Sequence, residues 1–441
     1  MISNRFLSAL IILLLLIPLN AGAENMNLTI DDAIELGLKN SEKLHSSKME
    51  VKAAKAKARE ASILRFPSLS FRGSYYRLSD EKPFEIDAPP PALGTIEISP
   101  TIRDNYNFKL TLQQPVFTGL RLHNNYRANK FSADAEEQEF SADKANLIYD
   151  IRVSYWSLFK TLKLKNVIDE NVELVETHLK DVRNFYEQEI ATKNEVLKVE
   201  VQLSNAKLKQ LDADHAVRLA RISLNSAIGL PLDAEISLAS DVENGYENFA
   251  DVNSLTAKAI EERAELKAMG YRVKAGKSAA GVAKAGWFPQ IYLVGGYTYA
   301  RPNSRVMPPT DEFEDSWELG VIATMDIWNW GKSAQQVKYA NAQLEKLHDA
   351  MAVLEDAVVL EVTRNYLEVE KSGKRIILSE ESVAQAEENY RITRDKYRNG
   401  VALNSELIDA EVALLEARTN HTHALVDYQL AVAELKKSIG E

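Results

Sequence analysis

Hydrophobic positions along this chain follow two different rhythms, and the order in which they alternate is written twice. Steps of three and four run through Ile151, Tyr155, Leu158 and Leu162, then through Ile168, Val172, Val175, Leu179, Val182 and Tyr186. That spacing predicts helices packed side by side as in coiled coils. Steps of two appear in four shorter stretches. Leu69, Phe71, Gly73 and Tyr75 alternate with Ser70, Arg72 and Ser74; Tyr106, Phe108, Leu110 and Leu112 alternate with Asn107, Lys109, Thr111 and Gln113. Ile291, Leu293, Tyr297 and Tyr299 form a third such set, and Trp317, Leu319, Val321 and Ala323 a fourth. These predict strands with one oily and one polar face.

The two halves align. Leu64 to Tyr76 recurs in outline at Gly286 to Thr298, with Phe66 and Phe288 222 positions apart; further on Phe117 answers to Trp328, Tyr155 to Tyr366 and Tyr186 to Tyr397 at an offset of 211. The change of offset places an 11-residue insertion between Tyr75 and Phe117 of the first copy. The expected fold is mainly α with a small β part, a duplicated helix-strand-strand-helix-helix unit. The first repeat is read as 24–230, with strands at about 68–76 and 105–114 and a long helix at about 120–188. The second is 254–441, with strands at about 290–299 and 316–325 and a long helix at about 331–398. Residues 231–253 join them.

Each long helix would run roughly 100 Å at about 1.5 Å per residue. The other helical stretches, 30–64, 193–227, 254–286 and 404–438, are about half as long, so two of them end to end match one long helix. Phe-Pro at 66–67 and 288–289 ends the first helix of each copy, because proline breaks the hydrogen-bond ladder. In the last helix Ala410, Ala417, Ala424 and Ala431 recur every seven residues, in phase with Val199, Ala206, Ala213 and Ala220 of the first copy. Small side chains at one heptad position let a neighbouring backbone come close; alanine's helix propensity alone is the plainer explanation.

Compartment follows from the start of the chain. Residues 1–23 combine Arg5, an apolar run from Phe6 to Leu19, and Ala21-Gly22-Ala23, which predicts a cleaved signal peptide, the alternative being a membrane anchor. Cysteine is absent, which leaves no disulfide framework. A net charge of −11 argues against a nucleic-acid partner, and no other stretch is apolar enough to span a bilayer as a helix. Strands of about 9–11 residues with dyad alternation suit a lipid-facing barrel, with Trp287, Trp317, Trp328 and Trp330 at its interfaces. The same alternation suits a soluble sheet covered by helices, which would make the chain a periplasmic coiled-coil scaffold or adaptor. Four strands cannot close a barrel, so a barrel would have to be shared between chains. The loops around Pro89-Pro90-Pro91 and Pro302 to Pro309 read as extended turns facing outside.

Catalytic signatures do not survive inspection. Gly276-Lys277-Ser278 and Gly331-Lys332-Ser333 lack the first glycine of a phosphate loop, and His421 and His423 fall on different helix faces. No enzyme, cofactor or metal site is expected.

With Gln114-Pro115-Val116-Phe117-Thr118-Gly119 at a strand-to-helix junction and Tyr397-Arg398-Asn399-Gly400 at the last helical hairpin, the duplicated unit resembles the TolC-like outer membrane efflux proteins over the whole mature chain. The resemblance implies a homotrimer in the outer membrane of a Gram-negative bacterium. Its 12-stranded barrel, set in outer-membrane lipid, would continue as a long periplasmic α-helical barrel, with 231–253 in an equatorial belt. It further implies a passive exit duct for efflux or type I secretion, engaged by a periplasmic adaptor (membrane fusion) protein and an inner-membrane transporter. A periplasmic constriction would be formed by Tyr397, Glu406, Asp409 and Glu195, with adaptor docking at the hairpin tips, Asn399, Gly400 and Val401 in one and Glu189 and Ile190 in the other. Ala402 stands where some members carry a gate arginine, and Glu189 replaces the glycine that Gly400 retains, so the usual arginine–carboxylate latch is not readable here.

Overall fold

A computed structural model describes residues 26–79, 84–87, 95–99, 101–239 and 247–441. The predicted signal peptide, Pro89-Pro90-Pro91 and part of the 231–253 segment lie outside the described residues.

The strands are β1 (Met26–Leu28), β2 (Ser68–Arg77), β3 (Phe84–Asp87), β4 (Thr95–Ser99), β5 (Asp104–Phe117), β6 (Ile236–Leu238), β7 (Gln290–Arg301) and β8 (Glu314–Thr324). The helices are α1 (Ile30–Asn40), α2 (Glu42–Ile63), α3 (Arg121–Glu187), α4 (Lys193–Ile228), α5 (Val252–Glu262), α6 (Ala264–Lys284), α7 (Lys332–Arg398) and α8 (Asn404–Ser438). Two compact units cut across the sequence repeats, each taking segments from both. One holds the chain up to His45 with Asp143–Glu262 and Val358–Glu441; the other holds Ser46–Ala142 and Arg263–Ala357.

Two expected helices are each broken. The stretch 30–64 becomes α1 and α2 at Ser41, whose ψ of 112° is extended and whose Oγ accepts from Leu44 N at 3.1 Å, capping the new helix. The stretch 254–286 becomes α5 and α6 at Arg263, with ψ 127°, and residues 285–287 tighten into a 3₁₀ turn. Ser41 and Arg263 are 222 apart, the repeat offset, so the break is itself duplicated.

In the first unit, cross-helix pairs join α4 to α3, α3 to α8 and α8 to α7. Lys207–Glu176 at 2.8 Å ties α4 to α3; Arg418 reaches Glu170 of α3 and Glu387 of α7, both at 2.7 Å; Asp427 likewise takes Lys160 and Arg375. The core beneath holds Ile151, Tyr155, Leu158, Leu224, Ile228 and Val426. Tyr155 donates its hydroxyl to Leu28 O at 3.1 Å, which anchors β1. Strand β1 pairs in parallel with β6, a three-residue match too short to leave a readable sequence pattern.

In the second unit β2, β5, β7 and β8 form one antiparallel sheet in that order, leaving β2 and β8 as its edges. Strand β5 runs three residues past its expected end because a bulge at Pro115 and Phe117 absorbs the proline, which has no N–H for the ladder. Leu69, Phe71, Leu110, Trp317, Leu319 and Val321 stand exposed on one face of this sheet. Strands β3 and β4, inside the expected first loop, pair as a separate antiparallel hairpin. The loop after β7 does not simply extend outward: Asn303 is only 1% exposed and donates to Glu314 O at 3.0 Å and Ser316 Oγ at 3.1 Å, turning the chain back over the sheet.

Both long helices begin after a left-handed pair of residues. Gly119 and Leu120 have φ of 59° and 64°; Trp330 and Gly331, at the equivalent positions, have 53° and 80°. The glycine has changed places within the pair while the backbone has kept its path.

Candidate functional site

The sequence-predicted gate residues lie at two adjacent hairpins of the first unit, where α3 turns into α4 and α7 turns into α8. Each turn uses one left-handed residue. Gly400 takes φ +69° at no steric cost, and Glu189, its repeat equivalent, takes φ 62° despite its Cβ. Between the tips lies a groove of about 440 Å³ lined by Glu195, Tyr397, Asn399, Gly400 and Ile190 among others. Val401, Glu189, Glu406 and Asp409 do not line it.

The acidic residues divide into two kinds. Thr192 and Glu195 form a reciprocal capping box: Glu195 N donates to Thr192 Oγ1 at 3.3 Å, and Thr192 N donates to Glu195 Oε2 at 2.6 Å. Glu406 accepts from Leu403 N at 3.0 Å, half of the same device, since leucine offers no acceptor in return. Asp409 is exposed and makes no side-chain hydrogen bond or ion pair among the described residues.

Tyr397 is buried, its ring edge-on to His178 (5.5 Å) and Phe185 (5.7 Å), in a cluster with Val175, Leu179, Val182, Val196, Val199 and Leu407. Burial, reinforced by Glu195, Asp181 and Glu411, pushes its phenol up to about 12. Beside it, His178 and Glu411 sit 4% and 1% exposed. His178 Nδ1 faces Glu411 Oε1 at 3.0 Å, and its Nε2 meets Asn404 Oδ1 at 2.8 Å. Gln202 Nε2 donates to Glu411 Oε2 at 2.8 Å. These four residues tie α3, α4 and α8 together through buried polar contacts directly behind the tips.

Sequence reasoning missed His178, Gln202, Asn404 and the pairing of Glu411. A signal existed: Leu407, Glu411 and Leu414 fall on a four-then-three core line, as do Val175, His178 and Val182 in three-then-four order, so ionisable groups occupy apolar positions. Also missed was Arg398, whose Nε and Nη2 both reach Asp181 Oδ2, at 3.1 and 3.0 Å. An inter-helix arginine–carboxylate contact is therefore made, from the end of α7 to α3, even though Ala402 supplies none. The seam alanines Ala410, Ala417, Ala424 and Ala431 are all buried.

Known proteins give a consistent picture. The family model described as outer membrane efflux protein matches residues 33–230 and 255–441. The alkaline protease secretion protein AprF of Pseudomonas aeruginosa is 21% identical over 76% of this chain and 69% of its own length. The outer membrane protein TolC of Vibrio cholerae is 20% identical over 71% of this chain and 72% of its own. The solved structure of the outer membrane protein VceC from Vibrio cholerae superposes with a TM-score of 0.78 at 18% identity, covering 93% of this chain and 96% of that one. The double match along the chain, spanning both copies of the repeat, and the shared fold identify this chain as a member of the TolC-like outer membrane efflux protein family, a protein of the outer membrane.

Proposed function

We propose that three copies of this chain close one twelve-stranded barrel in the outer membrane and continue it as a helical duct through the periplasm. The observation that carries this is the four-stranded sheet with open edges at β2 and β8 and a bare apolar face, on which Trp317 is 71% exposed. Unpaired edges are prohibitively costly in lipid, and joining β8 of one copy to β2 of the next removes all of them. A soluble scaffold would need that face covered by helices.

Exposed heptad-spaced stripes support the same assembly. Leu197, Val201, Leu208 and Leu211 line the outside of α4, and Leu360 and Leu367 that of α7, waiting for helices of neighbouring copies. Each mature chain then contributes repeats 24–230 and 254–441, linked by an equatorial segment at 231–253.

The duct acts passively and performs no chemistry. The two hairpin tips and the groove between them meet a periplasmic adaptor, and an inner-membrane transporter supplies the energy. AprF is named for protease secretion and TolC simply as an outer membrane protein, so cargo here is set by the transporter. Purified protein reconstituted in a planar lipid bilayer tests this reading: stepwise conductance is expected, and a failure to conduct at any voltage or pH would overturn it.

A further inference from the structure

We infer that Trp328 and Trp330 of one copy clasp Phe66 of the next, an aromatic contact that fixes how copies of this chain join edge to edge. The inference rests on the barrel reading above and adds to it the contact and the strand register between copies.

The template lies inside the chain. Strand β5 of the first repeat pairs with β7 of the second. The two open edges offer the same two kinds of strand, because β8 is the counterpart of β5 at the offset of 211 and β2 that of β7 at 222. The pairs Leu112–Gly295, Gln113–Val294 and Phe117–Ile291 therefore translate into Ala323, Thr324 and Trp328 of one copy opposite Gly73, Arg72 and Leu69 of the next.

The turns beside these strands translate in the same way. Within the chain Phe117 meets Phe288 edge-on, with ring centres 6.5 Å apart. Gly119 is buried against the same residue: a Cβ there would stand 2.7 Å from Phe288 Cβ and 3.0 Å from Ala285 O. The counterparts of Phe117 and Gly119 are Trp328 and Trp330, and those of Phe288 and Ala285 are Phe66 and Ile63. Gly119 and Ala285 are covered by this internal contact, whereas in the single chain Trp330 is 89% exposed, Phe66 62% and Ile63 58%. One contact between copies covers all three.

That contact cannot copy the internal one atom for atom, since Trp330 carries a side chain where Gly119 has none. Phe66 of the next copy must stand off by the depth of a ring. Trp328 and Trp330, already edge-on to each other at 5.8 Å, fill the space. Trp330 also holds a left-handed φ of 53°, which a bulky side chain adopts only at a cost, although glycine serves at the equivalent position 119. Packing against Phe66 offsets that cost.

Introduced cysteines test the register, because the chain has none of its own. Thr324 and Arg72 lie on opposite edges of the sheet, three strand spacings or roughly 14 Å apart, too far for a disulfide within one chain. Oxidising the T324C/R72C variant should give covalent dimers and trimers on a denaturing gel. The T324C/S74C variant, two residues out of register on the same face, should give at least about tenfold less. For the clasp itself, W330G and F66A should each speed dissociation of the assembled protein in denaturing detergent at least about tenfold, and the double variant should be little faster than either. Glycine suits the backbone of residue 330, so W330G leaves the chain free to fold, and W330F should recover part of the loss. Stronger cross-linking by the shifted pair, wild-type dissociation rates in W330G and F66A, or fully additive effects would overturn the clasp while leaving a trimer in place. A wild-type particle with the mass of a monomer would overturn the barrel reading itself.

Discussion

The imidazole of His178 and the carboxylate of Glu411 face each other at 3.0 Å between α3 and α8, both almost wholly out of water. The repeat equivalent of Glu411 is Glu200, which instead makes a half-exposed pair with Arg183. Duplication thus produced one surface ion pair and one buried polar contact from the same position. Removing one partner of a buried pair strands the other, at a cost of about 3–5 kcal/mol. His178→Leu and Glu411→Leu should each lower the thermal unfolding midpoint, and the double variant should lose less than the sum of the two. Additive losses would show that the two side chains do not act as a pair.

Tyr397 provides a test by pH. The folded protein holds its phenol proton to about pH 12, chiefly through burial and then through Glu195, Asp181 and Glu411, against a reference near 10.0. The associated stability is fully present below pH 10 and is lost as pH rises from 10 towards 12. Tyr397→Phe should flatten the fall in unfolding midpoint across that window. An unchanged alkaline slope would place the titration elsewhere.

Ala417 is only 5% exposed, on the face of α8 buried against its neighbours. Ala417→Leu should destabilise the protein by about 1–3 kcal/mol and reduce the yield of assembled protein, since overpacking forces side chains off their rotamers. Wild-type yield and unfolding midpoint in this variant would mean that the seam does not need small residues.

The two acidic residues at the start of α8 should behave differently. Glu406 caps the helix through Leu403 N, whereas Asp409 projects into solvent without a partner among the described residues. Asp409→Asn should weaken block by multivalent cations added on the periplasmic side and leave the unfolding midpoint unchanged. Glu406→Gln keeps the cap acceptor and loses only the charge at the helix N-terminus, about 0.3–1 kcal/mol. Bilayer recordings in which Asp409→Asn blocks like wild type would remove this carboxylate from the pore.

Much of this architecture was readable because long-range order is written as periodicity. The two 67-residue helices and the four main strands each carry enough positions for steps of seven or two to stand out. What escaped notice was local or relational. The breaks at Ser41 and Arg263 depend on single backbone angles, and β1 and β6 are three residues each. The His178–Glu411–Asn404–Gln202 contacts join three helices, so no single segment betrays them beyond an ionisable residue on an apolar line. Likewise the turn of Asn303 and Arg305 back onto the sheet arises from hydrogen bonds that no alternation encodes.

The central claim is that one chain supplies only part of a closed barrel, four strands with two open edges. The mass of the purified, detergent-solubilised protein, corrected for bound detergent, tests it most directly. Three copies per particle is the predicted result, and a stable monomer or dimer would contradict the account.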